Sequence, residues 1–123
     1  MAGRSERGAA AYHAGAAAEG IAARAYDEQG YAVAEYRWRG QGGEIDLILR
    51  GHGLVVFAEV KQSATFEAAA ASLSAAQIGR IMTAAAEFLE GEPAGSLTEC
   101  RFDAVLVDGS GAVQILENAF GQG

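Results

Sequence analysis

The most regular hydrophobic pattern in the chain lies near residues 74–90. Apolar side chains recur there at intervals of three and four residues, at Ile78, Ile81, Met82, Ala85, Phe88 and Leu89. This spacing places them on one face of an α-helix. Ser74 followed by Gln77 forms a capping box at its start, and Gly91 and Pro93 end it. A second helix is predicted over the alanine-rich residues 5–29, with Gly30 at its C-terminal end.

Alternating patterns predict strands in the rest of the chain. Residues 31–39 read as a strand rich in aromatic side chains, with a slip that moves Tyr36 and Trp38 to the face opposite Tyr31 and Val33. Residues 44–50 and 54–61 form a hairpin around residues 51–53, and residues 101–107 and 112–116 form two further strands. Residues 62–73 show no clear period.

The predicted order of elements is therefore α-β-β-β-α-β-β. It indicates an α/β domain with a mixed β-sheet flanked by helices, in a single domain over residues 1–123.

The hairpin brings charged residues together if its turn has an even number of residues. Asp46 then lies opposite Glu59, and Glu44 lies opposite Lys61 as an ion-pair partner or at the rim of the site. The other face is apolar throughout, with Ile45, Leu47 and Leu49 against Val56, Ala58 and Val60. A three-residue turn would bury one of the two carboxylates among these side chains, so the pattern favours the even register.

Composition and charge limit the class of protein. The 123 residues carry a net charge of −7, and the whole acidic excess lies in residues 44–123. This disfavours non-specific polyanion binding, which needs a basic surface. A lone cysteine, Cys100, excludes an internal disulfide and suits a reducing compartment, and no apolar window is long enough for a membrane span. A cytoplasmic protein without membrane contact is expected.

Opposed carboxylates on neighbouring strands repel each other, because their Cβ atoms lie roughly 5 Å apart. Asp46 and Glu59 are favourable together only when a cation bridges them or one of them is protonated. Carboxylate oxygens with water suit Mg²⁺ or Mn²⁺ better than zinc. With Lys61 placed to position a water molecule, the arrangement is suited to phosphodiester hydrolysis. The alternative is a solvated strand face with a cross-strand ion pair.

The first strand offers a second candidate site. Tyr31, Tyr36 and Trp38 could stack on bases while Arg37 and Arg39 contact phosphates. The alternative is ordinary aromatic packing across a sheet.

Three blocks of sequence carry a family resemblance: residues 43–48 (GEIDLI), 57–61 (FAEVK) and 101–105 (RFDAV). In this order and spacing they resemble the YraN-like family of small bacterial proteins, from about Gly15 to Phe120. That family looks like a compact member of the PD-(D/E)XK nuclease superfamily. The resemblance implies the fold of restriction endonucleases and Holliday-junction resolvases, in which a helix precedes a hairpin bearing Asp and Glu-x-Lys.

The resemblance also implies roles for individual residues. Asp46 and Glu59 match the two metal ligands, and the Val60 carbonyl matches a third. Lys61 matches the lysine that orients the attacking water, and Glu19 matches a helix glutamate that often completes the site. The implied cofactor is Mg²⁺ or Mn²⁺.

Other residues carry two interpretations. Gln77 stands where relatives often have Lys or Gln, but the capping box explains it without catalysis. Asp103 belongs to the third block, and it is equally consistent with a buried carboxylate that holds backbone donors or Arg101. Relatives often have Arg just after Glu-x-Lys, where this chain has Gln62, and Arg80 is the only basic residue near position 77.

Two hypotheses follow. The first is a Mg²⁺-dependent nuclease-like domain acting on branched or single-stranded DNA, with Arg37, Arg39 and Arg80 as nucleic-acid contacts and a homodimer as a compatible assembly. The second is a nucleic-acid-binding or protein-interaction module that keeps the fold without cleaving.

Overall fold

A computed structural model of the chain describes residues 10–120, with side chains from residue 17 onward. Its elements in chain order are α1 (Ala10–Glu28), β1 (Ala32–Arg39), β2 (Glu44–Gly51), β3 (Leu54–Gln62), α2 (Phe66–Ala71), α3 (Ala75–Leu89), a 3₁₀ turn (Gly95–Leu97), β4 (Cys100–Val107) and β5 (Val113–Leu116). The predicted first helix is confirmed from residue 10, and residues 5–9 of that prediction lie outside the described residues. None of the helices in the described part is both long and apolar enough to cross a membrane.

The short helix α2 is missing from the predicted order, which becomes α-β-β-β-α-α-β-β. The Thr65 side chain caps it by accepting a hydrogen bond from the Ala68 amide at 3.1 Å. Only Ala69 of this helix is buried. Because the segment is almost all alanine, it has a high helix propensity but no apolar period by which a helix could be recognised.

The five strands form one mixed sheet in the order β1-β2-β3-β4-β5. Neighbouring strands are antiparallel except β3 and β4, which are parallel. A parallel pair needs a long crossover connection, and α2 and α3 supply it. The α/β class and the mixed sheet are therefore confirmed.

The hairpin between β2 and β3 has the predicted even register. Arg50 pairs with Val55, and Gly51 with Leu54, across the two-residue turn of His52 and Gly53. Both turn residues have positive φ, at 54° and 79°, as a type I′ turn requires. The ladder ends at the pair Leu47 and Ala58, one step before Asp46 and Glu59.

Apolar side chains are buried on both faces of the sheet. Leu47, Leu49, Val56 and Ala58 pack with Tyr26 of α1. Ile48, Val55 and Phe57 form the other cluster, with Ile81 and Leu89 of α3. Ile48, Val55 and Phe57, which alternation places on the same face as the charged end of the hairpin, are covered by α3 through the β3–β4 crossover.

Ile45 also departs from the predicted pattern. It was assigned to the face of Leu47 and Leu49, but it packs in the cluster beneath α3. Strict alternation fails here because β2 loses its pairing with β3 beyond Leu47.

Strand β1 lies at one edge of the sheet and is irregular. The predicted slip is present as a register shift between Val33 and Glu35. Further along, Arg37 has a φ of 52°, a left-handed conformation that non-glycine residues rarely adopt. These irregularities determine where the side chains at the end of the strand point, and they matter for the site described next.

Candidate metal centre

The predicted charged residues meet where β2 and β3 separate. Instead of continuing the backbone ladder, the Val60 amide donates a hydrogen bond to Asp46 Oδ2 at 2.9 Å. A cavity of about 370 Å³ opens at this point between α1, β3 and the start of α3. Its walls include Glu19, Arg37, Asp46, Glu59, Lys61 and Gln77.

Glu59 is the most enclosed carboxylate of this cavity, with only 4% of its surface exposed. Gln77 Nε2 donates to Glu59 Oε2 at 2.5 Å, and Lys61 Nζ lies 3.5 Å from the same oxygen. Burial, followed by the negative charge of Asp46, raises the pKa of Glu59 to about 8, against the opposing effect of Lys61. Glu59 is therefore not on a solvated strand face, as the alternative interpretation of the hairpin required.

The donor set can be compared with the needs of a divalent cation. Asp46 and Glu59 supply carboxylate oxygens at one cavity, which is the ligand type that Mg²⁺ and Mn²⁺ prefer. Burial, and after it the charge of Asp46, disfavours the ionised form of Glu59 and raises its pKa, and a bound cation would offset both effects. Within the described residues, no group of three or more Asp, Glu, His or Cys side chains is arranged to hold one metal ion. The pair thus fits a cation that keeps several water ligands.

Glu19 lies in the same cavity but is engaged elsewhere. It is 8% exposed, and Arg37 Nε donates to its Oε1 at 3.0 Å. Burial raises the pKa of Glu19, the Arg37 guanidinium lowers it, and the charges of Asp46 and Glu44 raise it further. The structure therefore brings Glu19 to the site, with an arginine attached to it.

Gln77 has a different role from the one the capping box implied. Ser74 Oγ accepts a hydrogen bond from the Gln77 backbone amide at 3.1 Å, so half of the box is present. The Gln77 side chain, however, points into the cavity and binds Glu59. The capping interpretation therefore accounts for the Gln77 backbone amide, whereas the side chain contacts a carboxylate of the candidate site.

The other basic residues near the cavity form its rim. Arg39 Nη2 lies 3.5 Å from Glu44 Oε1 on the neighbouring strand, so the ion pair expected between Glu44 and Lys61 is replaced by one with Arg39. The alternative expectation, that Glu44 lies at the rim of the site, is confirmed, because Glu44 borders the cavity. Arg80 borders a smaller adjoining cavity of about 210 Å³, together with Asp46 and Glu59. Of the seven Lys and Arg side chains in residues 17–120, three border these two cavities, Arg37, Lys61 and Arg80, and a fourth, Arg39, pairs with Glu44 at the rim.

Asp103 lies outside both of these cavities and is fully buried. Its carboxylate accepts two hydrogen bonds from Arg101 at 2.9 Å, one from Tyr26 Oη at 2.7 Å and one from the Asn118 amide at 2.9 Å. The buried carboxylate that holds Arg101 and a backbone donor is therefore confirmed.

The aromatic residues of β1 are divided between packing and exposure. Tyr31 is 7% exposed and Trp38 packs edge-on against Phe88, so both serve the core. Tyr36 is 56% exposed, and only this residue of the three is free to stack on a base.

Two features of the site could not be found in the sequence. The contacts between Arg37 and Glu19 and between Gln77 and Glu59 each join residues that are 18 positions apart on different elements. No local spacing signals such pairs, although glutamine at a helix start and arginine near an acidic hairpin are the residue types involved.

Comparison with known proteins places the chain in a family. Residues 18–107 match the model of the uncharacterised protein family UPF0102. A UPF0102 protein of Roseobacter denitrificans is 54% identical over 120 residues, covering 98% of this chain and 93% of the relative. One of Ruegeria sp. is 56% identical over 117 residues, covering 95% and 94%, and one of Cereibacter sphaeroides is 57% identical over 113 residues, covering 92% and 97%. With a family model that spans most of the sequence and relatives matched over nearly their full length, this chain belongs to the UPF0102 family.

Proposed function

We propose that this protein is a Mg²⁺- or Mn²⁺-dependent nuclease of the PD-(D/E)XK type that hydrolyses phosphodiester bonds in DNA. The observation that carries the proposal is the single cavity that holds Asp46, Glu59, Lys61 and Gln77, with Glu59 buried and its pKa raised. A strand pair that separates at two carboxylates, with a lysine beside them, supports the restriction-endonuclease-like fold that the sequence resemblance implies.

In this proposal Asp46 and Glu59 hold the cation, and the Val60 carbonyl is a further candidate ligand at the same cavity. The bound cation would supply a water of lowered pKa and neutralise charge on the phosphate. Asp46 is oriented by the Val60 amide, and Glu59 by the Gln77 amide group. Partners of this kind hold metal-binding carboxylates in one orientation, and their loss typically weakens metal binding 10–100-fold.

Lys61 is placed to act on the attacking water. Its Nζ lies 3.5 Å from Glu59 Oε2 and its side chain is 21% exposed, so the ammonium group is fixed at the cavity and still reached by solvent. As a donor it can hold a water molecule for in-line attack and offset the negative charge that develops on the phosphate.

The distribution of charge supports DNA as the substrate despite the net charge of −7. Arg37, Lys61 and Arg80 border the two cavities and Arg39 pairs with Glu44 at the rim, so basic side chains are gathered beside the carboxylates, whose charge a bound cation would offset. Such a local concentration can bind a few phosphates at the site while the remaining surface repels the nucleic acid. We infer recognition of a short stretch of branched or single-stranded DNA, in the cytoplasm, with a homodimer as the assembly that would cut two strands.

A second candidate function is a nucleic-acid-binding or protein-interaction module that does not cleave. It is favoured by the absence of a three-residue metal cluster in the part of the chain that the structure describes. Gln62, in place of an arginine after Glu-x-Lys, favours it as well.

Cleavage assays separate the two functions. The protein is incubated with supercoiled, single-stranded and four-way-junction DNA in Mg²⁺ or Mn²⁺, beside Asp46→Asn and Lys61→Ala variants. We expect cleavage by the wild type that falls by at least two orders of magnitude in both variants, as loss of a metal ligand or of a water-positioning group should produce. Binding without cleavage would favour the second function, and no binding to any of these DNAs would contradict both.

A further inference from the structure

The contact between Arg37 and Glu19 stands out among the features of the cavity. Glu19 is nearly buried and opens onto the same space as Asp46 and Glu59. Its Oε1 is held at 3.0 Å by Arg37 Nε, so one carboxylate oxygen is committed to a cation that belongs to the protein itself.

The backbone at Arg37 is unusual for its position. Its neighbours Tyr36 and Trp38 pair normally with β2, yet Arg37 between them has a φ of 52°. A left-handed arginine inside a strand is unfavourable, and such conformations persist only where the surroundings maintain them. Here the result is that the Arg37 side chain reaches Glu19 on α1.

The same arginine can be reached from solution. Its side chain is 34% exposed, whereas that of Glu19 is 10% exposed. A guanidinium binds phosphate and carboxylate with the same donor geometry, so a backbone phosphate entering the cavity competes directly with Glu19 for Arg37.

We propose that Arg37 is a latch, which in the free protein holds Glu19 away from the Asp46–Glu59 pair and which a nucleic-acid phosphate releases. With Arg37 on the phosphate, Glu19 is free to join the two carboxylates around one cation. This inference rests on the proposed function and adds a mechanism of control to it. It also accounts for why the described residues contain no group of three acidic, His or Cys side chains set for a metal ion.

The latch makes a prediction for metal binding without any nucleic acid. Binding of Mn²⁺ alone is measured from the electron paramagnetic resonance signal of the free ion, in wild type and in Arg37→Asn. Asparagine tolerates the left-handed backbone, so the variant retains the local conformation. We expect Arg37→Asn to bind Mn²⁺ about tenfold more tightly than the wild type, in the range typical of couplings between sites.

Removal of any positive charge near the cavity strengthens the binding of a cation, so a control variant is needed. The control is Arg39→Asn. Arg39 lies on the same strand and pairs with Glu44, so its loss reports this general effect. The gain in Arg37→Asn should exceed that in Arg39→Asn, and it should disappear in the double variant Arg37→Asn/Glu19→Gln. Thermal denaturation of each variant confirms that it is folded.

The latch also predicts that loss of the Glu19 carboxylate strengthens the binding of nucleic acid, and this effect is measured without metal. Binding of a fluorescein-labelled single-stranded oligonucleotide in EDTA, followed by anisotropy, should be several-fold tighter in Glu19→Gln, in which Arg37 no longer pairs with an ionised Glu19. Glu44→Gln is the matched control for removal of one negative charge. The gain should vanish when Arg37→Asn is added.

The outcomes separate the latch from the proposed function. If Arg37→Asn binds Mn²⁺ no more tightly than Arg39→Asn, while Asp46→Asn abolishes binding, the latch is wrong and the metal site stands. If no variant binds Mn²⁺ in a way that depends on Asp46, the proposed function fails and the latch fails with it.

Discussion

At the scale of single residues, the chemistry of the site depends on the environment of Glu59. The side chain is 4% exposed, and Gln77 and Lys61 both approach the same carboxylate oxygen. Burial and the charge of Asp46 raise its pKa to about 8. A carboxyl group held in this way binds a proton at neutral pH when no divalent cation occupies the cavity, so binding of a divalent cation should release it.

The raised pKa predicts a dependence of stability on pH. As the pH rises from about 4.5 to 8, Glu59 ionises in the unfolded chain but keeps its proton in the folded protein. The folded state then binds more protons than the unfolded state, so the free energy of unfolding falls with rising pH across this window. Burial raises the pKa of Glu19 as well, which adds a contribution of the same sign.

Urea denaturation at several pH values checks this in the absence of divalent ions. In the wild type the free energy of unfolding should fall as the pH rises from about 4.5 to 8. In Glu59→Gln this fall should be smaller by on the order of a few kcal/mol, since one pKa unit corresponds to about 1.4 kcal/mol. The control is Glu67→Gln, which removes one carboxyl group from an exposed position of α2. If the free energy of unfolding depends on pH in the same way in Glu59→Gln and in wild type, the raised pKa of Glu59 is contradicted.

Alternation along two strands was sufficient to predict the hairpin residues of the site. It placed Asp46, Glu59 and Lys61 together from the sequence, because a hairpin of known register determines which side chains are neighbours. Gln77 and Arg37 could not be placed in the same way. Their positions depend on the crossover to α3 and on a left-handed residue in β1, and neither is encoded by a local period.

At the scale of elements, the hairpin turn and helix α3 position the site from two sides. The type I′ turn of His52 and Gly53 determines the register that brings Glu59 to Asp46. The strands and α3 were predictable because each has a strong period or a turn signal. Helix α2 was not, since alanine alone gives no period, and the cover of α3 over the charged face follows from topology and not from pattern.

Substitution of glycine by alanine should have opposite effects on stability in the hairpin turn, at Gly53, and in helix α3, at Gly79. An added Cβ meets nothing within 4 Å at either Gly53 or Gly79, but only Gly53 has a positive φ, at 79°. Gly53→Ala should therefore destabilise the protein by about 1 kcal/mol through backbone strain. Gly79→Ala lies inside α3 and should stabilise it by about 0.5–1 kcal/mol.

Denaturation midpoints at unchanged m-value measure both effects. A destabilising Gly79→Ala would show that α3 does not continue regularly through that position. A neutral Gly53→Ala would show that the turn is not of type I′.

At the scale of the whole molecule, a buried polar network holds distant parts of the chain together. Asp103 on β4 binds Tyr26 of α1, Arg101 and the Asn118 amide beyond β5. Arg101 Nη1 in turn donates to Tyr31 Oη at 3.1 Å. The network keeps α1, which carries Glu19, in a defined position over the sheet.

Removal of one hydroxyl group tests the network. Tyr26→Phe leaves the ring in the core but deprives the fully buried Asp103 of a donor, and it should lower the free energy of unfolding by about 1–3 kcal/mol. Tyr36→Phe makes the same change at a side chain that is 56% exposed, and should change stability by less than about 0.5 kcal/mol. Equal effects in urea denaturation would show that Asp103 does not depend on this bond.

The central claim is that Asp46 and Glu59 share one divalent cation, and anomalous diffraction from crystals grown with Mn²⁺ tests it most directly. We expect a single anomalous peak in the cavity between Asp46 and Glu59, at about 2.0–2.2 Å from a carboxylate oxygen of each, as for a hard cation with water ligands. The same peak should be absent from Asp46→Asn crystals grown in parallel. A peak elsewhere, or none in this cavity at saturating Mn²⁺, would contradict the account.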